Sequence, residues 1–149
     1  MTQAYAIVKD SLRNRATSNQ IPSTFALVPY AEKAPASYGV QLYGGVFHEM
    51  IRWDTRLPCT VSETFETAAD YISRGSITVA CSQSPFDPPK PLARVELEGI
   101  QIAQAGVPKA KITVHLDEHL KGEMTMIDTV TRAYGKCSFN GDPSSSRLL

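Results

Sequence analysis

The chain lacks the features that would assign it to several specialised classes of protein. It has 149 residues, among them one tryptophan and three cysteines, and its 15 basic residues balance 15 acidic ones. Because there is no net charge, nothing in the composition favours nucleic acid or an anionic membrane as an electrostatic partner. No apolar run of about 18 residues occurs, and no signal-like apolar block follows Met1, so we expect a soluble chain without a membrane anchor or a membrane partner.

Side chains that could support catalysis or bind a metal are also few. They are Cys59, Cys81, Cys137, His48, His115 and His119. The odd number of cysteines suits a reducing compartment better than a disulfide framework, which predicts a cytoplasmic location. A Cys/His nucleophile pair or a metal site is the alternative that the spacing disfavours, since no two of these residues have a short ligand spacing on one helix face. The sequence therefore predicts no catalytic residue, no metal and no cofactor, and hence a protein that is not an enzyme.

The acidic residues of the last third of the chain have no calcium-loop spacing. Asp117, Glu118, Glu123 and Asp128 are interpreted as solvated charges at turns and strand ends. A further segment, Ser82–Pro91, is rich in proline; we interpret it as an inter-strand loop, with a proline-rich docking ligand as the alternative.

Apolar residues recur with a period of two from Tyr38 onward. The alternating segments are Tyr38–Leu42, Val46–Ile51, Val61–Phe65, Ile77–Val79, Val95–Leu97, Ile112–Leu116 and Met124–Ile127, each bounded by Gly, Pro, Asp or Ser. Short alternating segments at this spacing predict an antiparallel β-sandwich of about eight strands, so the fold class is mainly β. Residues Thr2–Arg15 place apolar side chains at helical spacing and predict a short N-terminal helix.

The polar, turn-rich end of the chain predicts a flexible tail over residues 132–149.

The order of the motifs resembles a known family. Gly39 to Gly45 contains a Gly-X-X-X-X-Gly-Gly hairpin, Leu57-Pro58 follows, and Phe65-X-Thr-Ala-Ala-Asp70 comes next. Ser76–Val79, Pro91–Ile100 and Gly106–Val114 continue the pattern in the same order. The stretch from Pro35 to Thr131 is thereby similar to the peptide-binding β domain of the seventy-kilodalton heat-shock chaperones of the DnaK type. The resemblance implies that residues 35–131 form the sandwich and that residues 1–34 hold the predicted helix and a segment like the family's linker.

The resemblance implies a peptide-binding site. An extended peptide would pair its backbone with exposed loops and insert one apolar side chain into a pocket. Carried over by position, the implied pocket walls are Val40, Leu42, Phe65 and Ile77, the arch over the peptide is Tyr43 and Ala68, and main-chain groups come from Leu42, Tyr43, Glu66 and Ala68. The competing interpretation is that Val40, Phe65 and Ile77 only fill the core and that Gly44-Gly45 is only a turn.

One position departs from the family pattern. Where the family carries a β-branched valine, counting without gaps from Phe65 reaches Gly75, and a slip of one residue would place Ser76 there and turn Ile77 to the wrong face. We prefer the Gly75 register. The expected consequence is an enlarged pocket or a collapsed strand.

Two functions follow from the resemblance. The first is a chaperone-type domain that holds unfolded or extended polypeptide and has no catalysis of its own. The second is a lidless regulatory or structural domain that docks on a chaperone ATPase domain, in cis or in trans, and whose pocket is vestigial. The chain contains no phosphate-cradling glycine loop, so we expect no ATP binding of the family's kind.

Overall fold

The computed structural model describes residues 4–7 and 27–144, and within them the chain is almost entirely β-structure. The strands are β1 (Ala4–Ile7), β2 (Leu27–Tyr30), β3 (Ser37–Gln41), β4 (Phe47–Ile51), β5 (Cys59–Glu66), β6 (Arg74–Ser82), β7 (Lys90–Glu98), β8 (Lys109–Leu116), β9 (Lys121–Asp128) and β10 (Tyr134–Asn140). A single 3-10 turn, Tyr43–Gly45, lies between β3 and β4.

Eight of these strands form two antiparallel four-stranded sheets. One sheet has the order β4-β3-β6-β7 and the other the order β10-β9-β8-β5. Alternation places one face of each sheet inward: in β8, for example, Ile112, Val114 and Leu116 are buried while Lys111 is exposed. The predicted sandwich of about eight strands is therefore confirmed, and its core lies between the two sheets.

The N-terminal region differs from the prediction. Within the predicted helix the structure describes only Ala4–Ile7, and these residues form β1, which pairs with β2; residues 8–15 lie outside the described part of the chain. The helix prediction is thus wrong for Ala4–Ile7, because pairing with a distant strand outweighs local periodicity.

The segment predicted to be linker-like belongs in part to the sandwich. Ala31 and Ala34 are buried in the core, and the N–H of Ala31 donates to the carbonyl of Glu118 at 2.8 Å. Nδ1 of His119 donates to the carbonyl of Pro29 at 2.9 Å. The sandwich therefore begins before residue 35.

The C-terminal region also differs from the predicted flexible tail. Residues 134–140 form β10 along β9, and Phe139 is buried with its ring 6.5 Å from the ring of Tyr38. The ring of Phe139 fills the space beside Gly122, where an added Cβ would come within 2.1 Å of it. The sandwich therefore continues past residue 131, because the buried ring of Phe139 and the side chain of Cys137 pack against the core.

The turns match the sequence interpretation more closely. Gly44 and Gly45 have φ angles of +83° and +79°, which glycine adopts readily, and the N–H of Leu42 donates to the carbonyl of Val46 at 2.7 Å. The hairpin prediction is confirmed. The proline-rich segment lies, as interpreted, mostly in the loop between β6 and β7.

Candidate functional site

A cavity of about 350 Å³ opens at one end of the sandwich. Its walls come from the last residues of β3, β5 and β9, the first residues of β6 and β8, and the loops that follow β5 and β7. In an antiparallel sheet the end of one strand lies beside the start of its neighbour, at the same end of the sheet. These segments therefore converge although they are distant in sequence. The apolar side chains that line the cavity are Leu42, Phe65, Ile72, Ile77, Leu97, Ile100, Ile112 and Met126.

Seven of the eight predicted site residues line this cavity. They are Leu42, Tyr43, Phe65, Glu66, Ala68, Gly75 and Ile77. The eighth, Val40, is fully buried in the core between its strand neighbours His48 and Val79, and it does not line the cavity. The core-filling interpretation therefore holds for Val40, whereas Phe65 and Ile77 pack against the core and also face the cavity.

The ring of Phe65, which forms part of the cavity wall, packs against the side chain of His48. The rings of Phe65 and His48 meet edge to face, with centroids 5.3 Å apart and planes at 90°. Nε2 of His48 lies 2.9 Å from Oε1 of Glu63, and this hydrogen bond joins β4 to β5 at the edge of the sandwich. The aromatic wall therefore packs against a side chain from the opposite sheet.

The rim of the cavity carries exposed groups. Tyr43 is 86% exposed and Ala68 is also exposed, and both line the cavity. Their role as an arch over a peptide stays a prediction. Leu42 was predicted to offer main-chain groups to a peptide, but its N–H is already bonded to the carbonyl of Val46, and its carbonyl accepts from the N–H of Gly45 at 2.9 Å. Since a carbonyl oxygen accepts two hydrogen bonds, the Leu42 carbonyl retains capacity for one more.

An ion pair and backbone bonds tie two loops together across the rim. Nζ of Lys109 lies 2.9 Å from Oε2 of Glu66 and also donates to the carbonyl of Gly106. The N–H of Gly106 donates to the carbonyl of Thr67 at 2.9 Å. The loops after β5 and before β8 therefore hold one another at the cavity mouth.

Asp128 was interpreted as a solvated charge, and that interpretation is wrong. The residue is only 1% exposed and lines the cavity. Its carboxylate accepts hydrogen bonds from the backbone N–H groups of Gln101 at 2.9 Å, Val130 at 2.8 Å and Thr131 at 2.9 Å. Burial alone would raise the pKa of Asp128, but these hydrogen bonds outweigh it and hold the pKa below its ordinary value.

Sequence reasoning missed several lining residues that arrive from distant elements. Ile72 and Met126 lie outside the motifs, while Ile100 and Ile112 lie within motifs that assigned them no role at the site. Only their apolar character pointed to burial. Thr67 lies inside the Phe65–Asp70 motif, and its buried hydroxyl has no hydrogen-bond partner among the described residues. The motif itself was the signal that could have placed Thr67 at the site.

No group of three or more His, Cys, Asp or Glu side chains suited to a metal ion occurs among the described residues. In the same part of the chain, no helix is both long and apolar enough to cross a membrane.

The fold and the cavity together define an antiparallel β-sandwich domain with an apolar recess between strand ends and loops. The family model for the Hsp70 protein matches residues 29–140, about three quarters of the chain. The chain belongs to the Hsp70 family, as the motif order indicated, and the match extends from β2 to the end of β10.

Proposed function

We propose that this domain is a chaperone-type peptide-binding module that holds extended, apolar polypeptide segments and performs no catalysis. One observation carries the proposal: seven of the eight residues that the family resemblance assigns to a peptide site converge on one apolar cavity that is open to solvent. Membership of the Hsp70 family supports a chaperone-like role, with polypeptide as the partner.

The geometry suits an extended chain better than a compact ligand. The rim offers the Leu42 carbonyl and the exposed segments around Tyr43 and Ala68, which can pair with a peptide backbone whatever its side chains. The apolar recess below can receive one side chain and supplies the preference for apolar residues.

A titration tests the proposal directly. We expect the purified chain to bind a fluorescein-labelled, Leu-rich heptapeptide saturably in an anisotropy assay. Phe65→Ala removes one wall of the cavity and should weaken binding about tenfold. Phe86→Ala is the matched control, because Phe86 is 92% exposed in the β6–β7 loop and does not line the cavity.

Stability has to be measured alongside affinity, since Phe65→Ala also removes contacts with the core. An affinity loss in a variant that is still folded at the assay temperature assigns the loss to the site. The absence of saturable binding by the folded wild-type chain would contradict the proposal.

The second candidate is an interaction domain that docks on a chaperone ATPase domain and whose cavity is vestigial. Gly75 favours it, because glycine contributes no side chain to the cavity wall. This candidate predicts a complex between the chain and a purified Hsp70 ATPase domain in sedimentation velocity, together with no binding of the heptapeptide.

The three thiols support a cytoplasmic location as part of the proposal. Cys59, Cys81 and Cys137 are all free, which suits a reducing compartment.

A further inference from the structure

Gly75 differs from the close-packed glycines Gly39 and Gly135, because neither its backbone conformation nor crowding around it requires a glycine at this position. A Cβ added to Gly39 would lie 1.9 Å from the carbonyl oxygen of His48, and one added to Gly135 would lie 2.9 Å from that of Glu96. A Cβ added to Gly75 would meet only Cδ1 of Ile100, at 3.6 Å, which is ordinary van der Waals contact. Gly75 also lies outside the positive-φ region that favours glycine.

The missing side chain leaves space on the cavity side of β6. Ile77 and Val79 point toward the core, and the period of two places Gly75 on the same face, while Ser76 is exposed on the other. Gly75 lines the cavity together with Ile100. The effect of the glycine is therefore to deepen the recess and not to shape the backbone.

The resulting volume exceeds what an aliphatic anchor needs. A cavity of about 350 Å³ falls within the range of about 300–1,000 Å³ typical of sites for small-molecule ligands. A leucine side chain has four carbon atoms and would leave much of this recess unfilled, so it would forgo contact with the far wall. An aromatic side chain is longer and buries about 150–250 Å² of surface.

The chemistry of the walls also favours an aromatic ring. Phe65 presents an aromatic side chain to the recess, and ring pairs are stabilised beyond the area that they bury. Met126 lines the recess as well, and a thioether makes favourable contacts with ring edges. Ile72 and Leu97 add further apolar walls. The charged groups of the lining are already paired: Glu66 with Lys109, and the Asp128 carboxylate with backbone N–H groups.

We infer that Gly75 sets the specificity of this site and that the recess selects polypeptide segments with an aromatic anchor, Phe or Trp, over those with Leu. The inference rests on the proposed peptide-binding function and adds the class of anchor side chain to it.

Three heptapeptides that differ only in a central Leu, Phe or Trp test the inference on the full chain. The wild-type chain should bind the Phe and Trp peptides about three- to tenfold more tightly than the Leu peptide. Gly75→Val fills the recess and should invert the order, tightening the Leu peptide and weakening the Trp peptide. Thr78→Val is the matched control, since Thr78 lies on the same strand outside the cavity lining, and it should leave the order unchanged.

The outcomes separate the inference from the proposed function. If none of the three peptides binds saturably, the peptide-binding function fails and the inference fails with it. If all bind but Leu is preferred or equal, the function stands and the aromatic preference is overturned. A Leu-to-Trp affinity ratio that Gly75→Val does not change would also overturn the role of Gly75. If the valine variant does not fold, Gly75→Ala, which adds a single carbon, takes its place. Its Leu-to-Trp affinity ratio should lie between that of the wild type and that expected for Gly75→Val.

Discussion

The hydroxyl of Tyr38 donates a hydrogen bond to the backbone carbonyl of Gly141, 103 residues further along the chain. Tyr38 is fully buried in β3, and burial raises the pKa of its hydroxyl far above the ordinary value, so the group stays protonated and acts as a donor. Gly141 in turn donates its N–H to the carbonyl of Leu120 at 2.7 Å. These bonds close the core over the segment that follows β10.

Removing that hydroxyl should destabilise the domain without altering its shape. Tyr38→Phe keeps the ring beside Phe139 but leaves the buried carbonyl of Gly141 without this donor, which costs about 1–3 kcal/mol. In urea denaturation we expect a lower midpoint and an unchanged m-value. Tyr134→Phe is the control, because Tyr134 is 60% exposed, and an equal loss in both variants would contradict the role of the Gly141 bond.

The same substitution at two glycines should have opposite consequences. Gly39→Ala would place a Cβ 1.9 Å from the carbonyl oxygen of His48, at the bulge between β3 and β4, and should destabilise the domain by more than about 3 kcal/mol or prevent folding. Gly75→Ala meets only a side-chain methyl at 3.6 Å and should be neutral or stabilise by about 0.5–1 kcal/mol, since glycine is unfavourable within a strand. Chemical denaturation of the two variants measures the difference. A large loss of stability in Gly75→Ala would show that the recess is occupied or collapsed.

Asp128 should make stability depend on pH in the acid range. The native pKa lies below that of the unfolded chain, so the carboxylate contributes its full stabilisation above about pH 4 and loses it as the pH falls through the native pKa. Asp128→Asn should therefore cost about 2–3 kcal/mol at pH 7, and its difference from the wild type should narrow below about pH 4. Thermal unfolding across this range tests the prediction. Asp87→Asn, at an exposed loop position, is the control and should be as stable as the wild type. A difference in stability between Asp128→Asn and the wild type that stays constant with pH would contradict the role assigned to Asp128.

The three thiols should react slowly in the folded protein. Burial raises the pKa of each of Cys59, Cys81 and Cys137, so little of the nucleophilic thiolate is present at neutral pH. Cys81 is only 2% exposed and should be alkylated most slowly by iodoacetamide, with all three reacting readily in urea. Mass spectrometry of timed samples gives the rates, and rapid labelling of Cys81 under native conditions would contradict its burial.

Local patterns in the sequence determined much of the sandwich. Alternation with period two depends only on strand geometry, so segments such as Ile112–Leu116 disclosed both their conformation and their buried face. The double glycine at 44–45 likewise specified its turn, because few other residues adopt a positive φ so readily. The order of these motifs was enough to identify the family. Seven of the eight site residues predicted from that resemblance line the cavity.

Other features were decided only by contacts between distant parts of the chain. The segment 134–140 was predicted to be part of a flexible tail, and it becomes a strand because Phe139 enters the core beside Tyr38 and Cys137 packs against that core. Asp128 has the sequence context of a surface charge, and it is buried because the N–H of Gln101, from another loop, helps to solvate its carboxylate. The volume beside Gly75 depends on where Ile100 and Met126 come to rest, which no local pattern encodes. A period along one strand reports which way a side chain points, whereas the space in front of it is set by the packing of every other element around it.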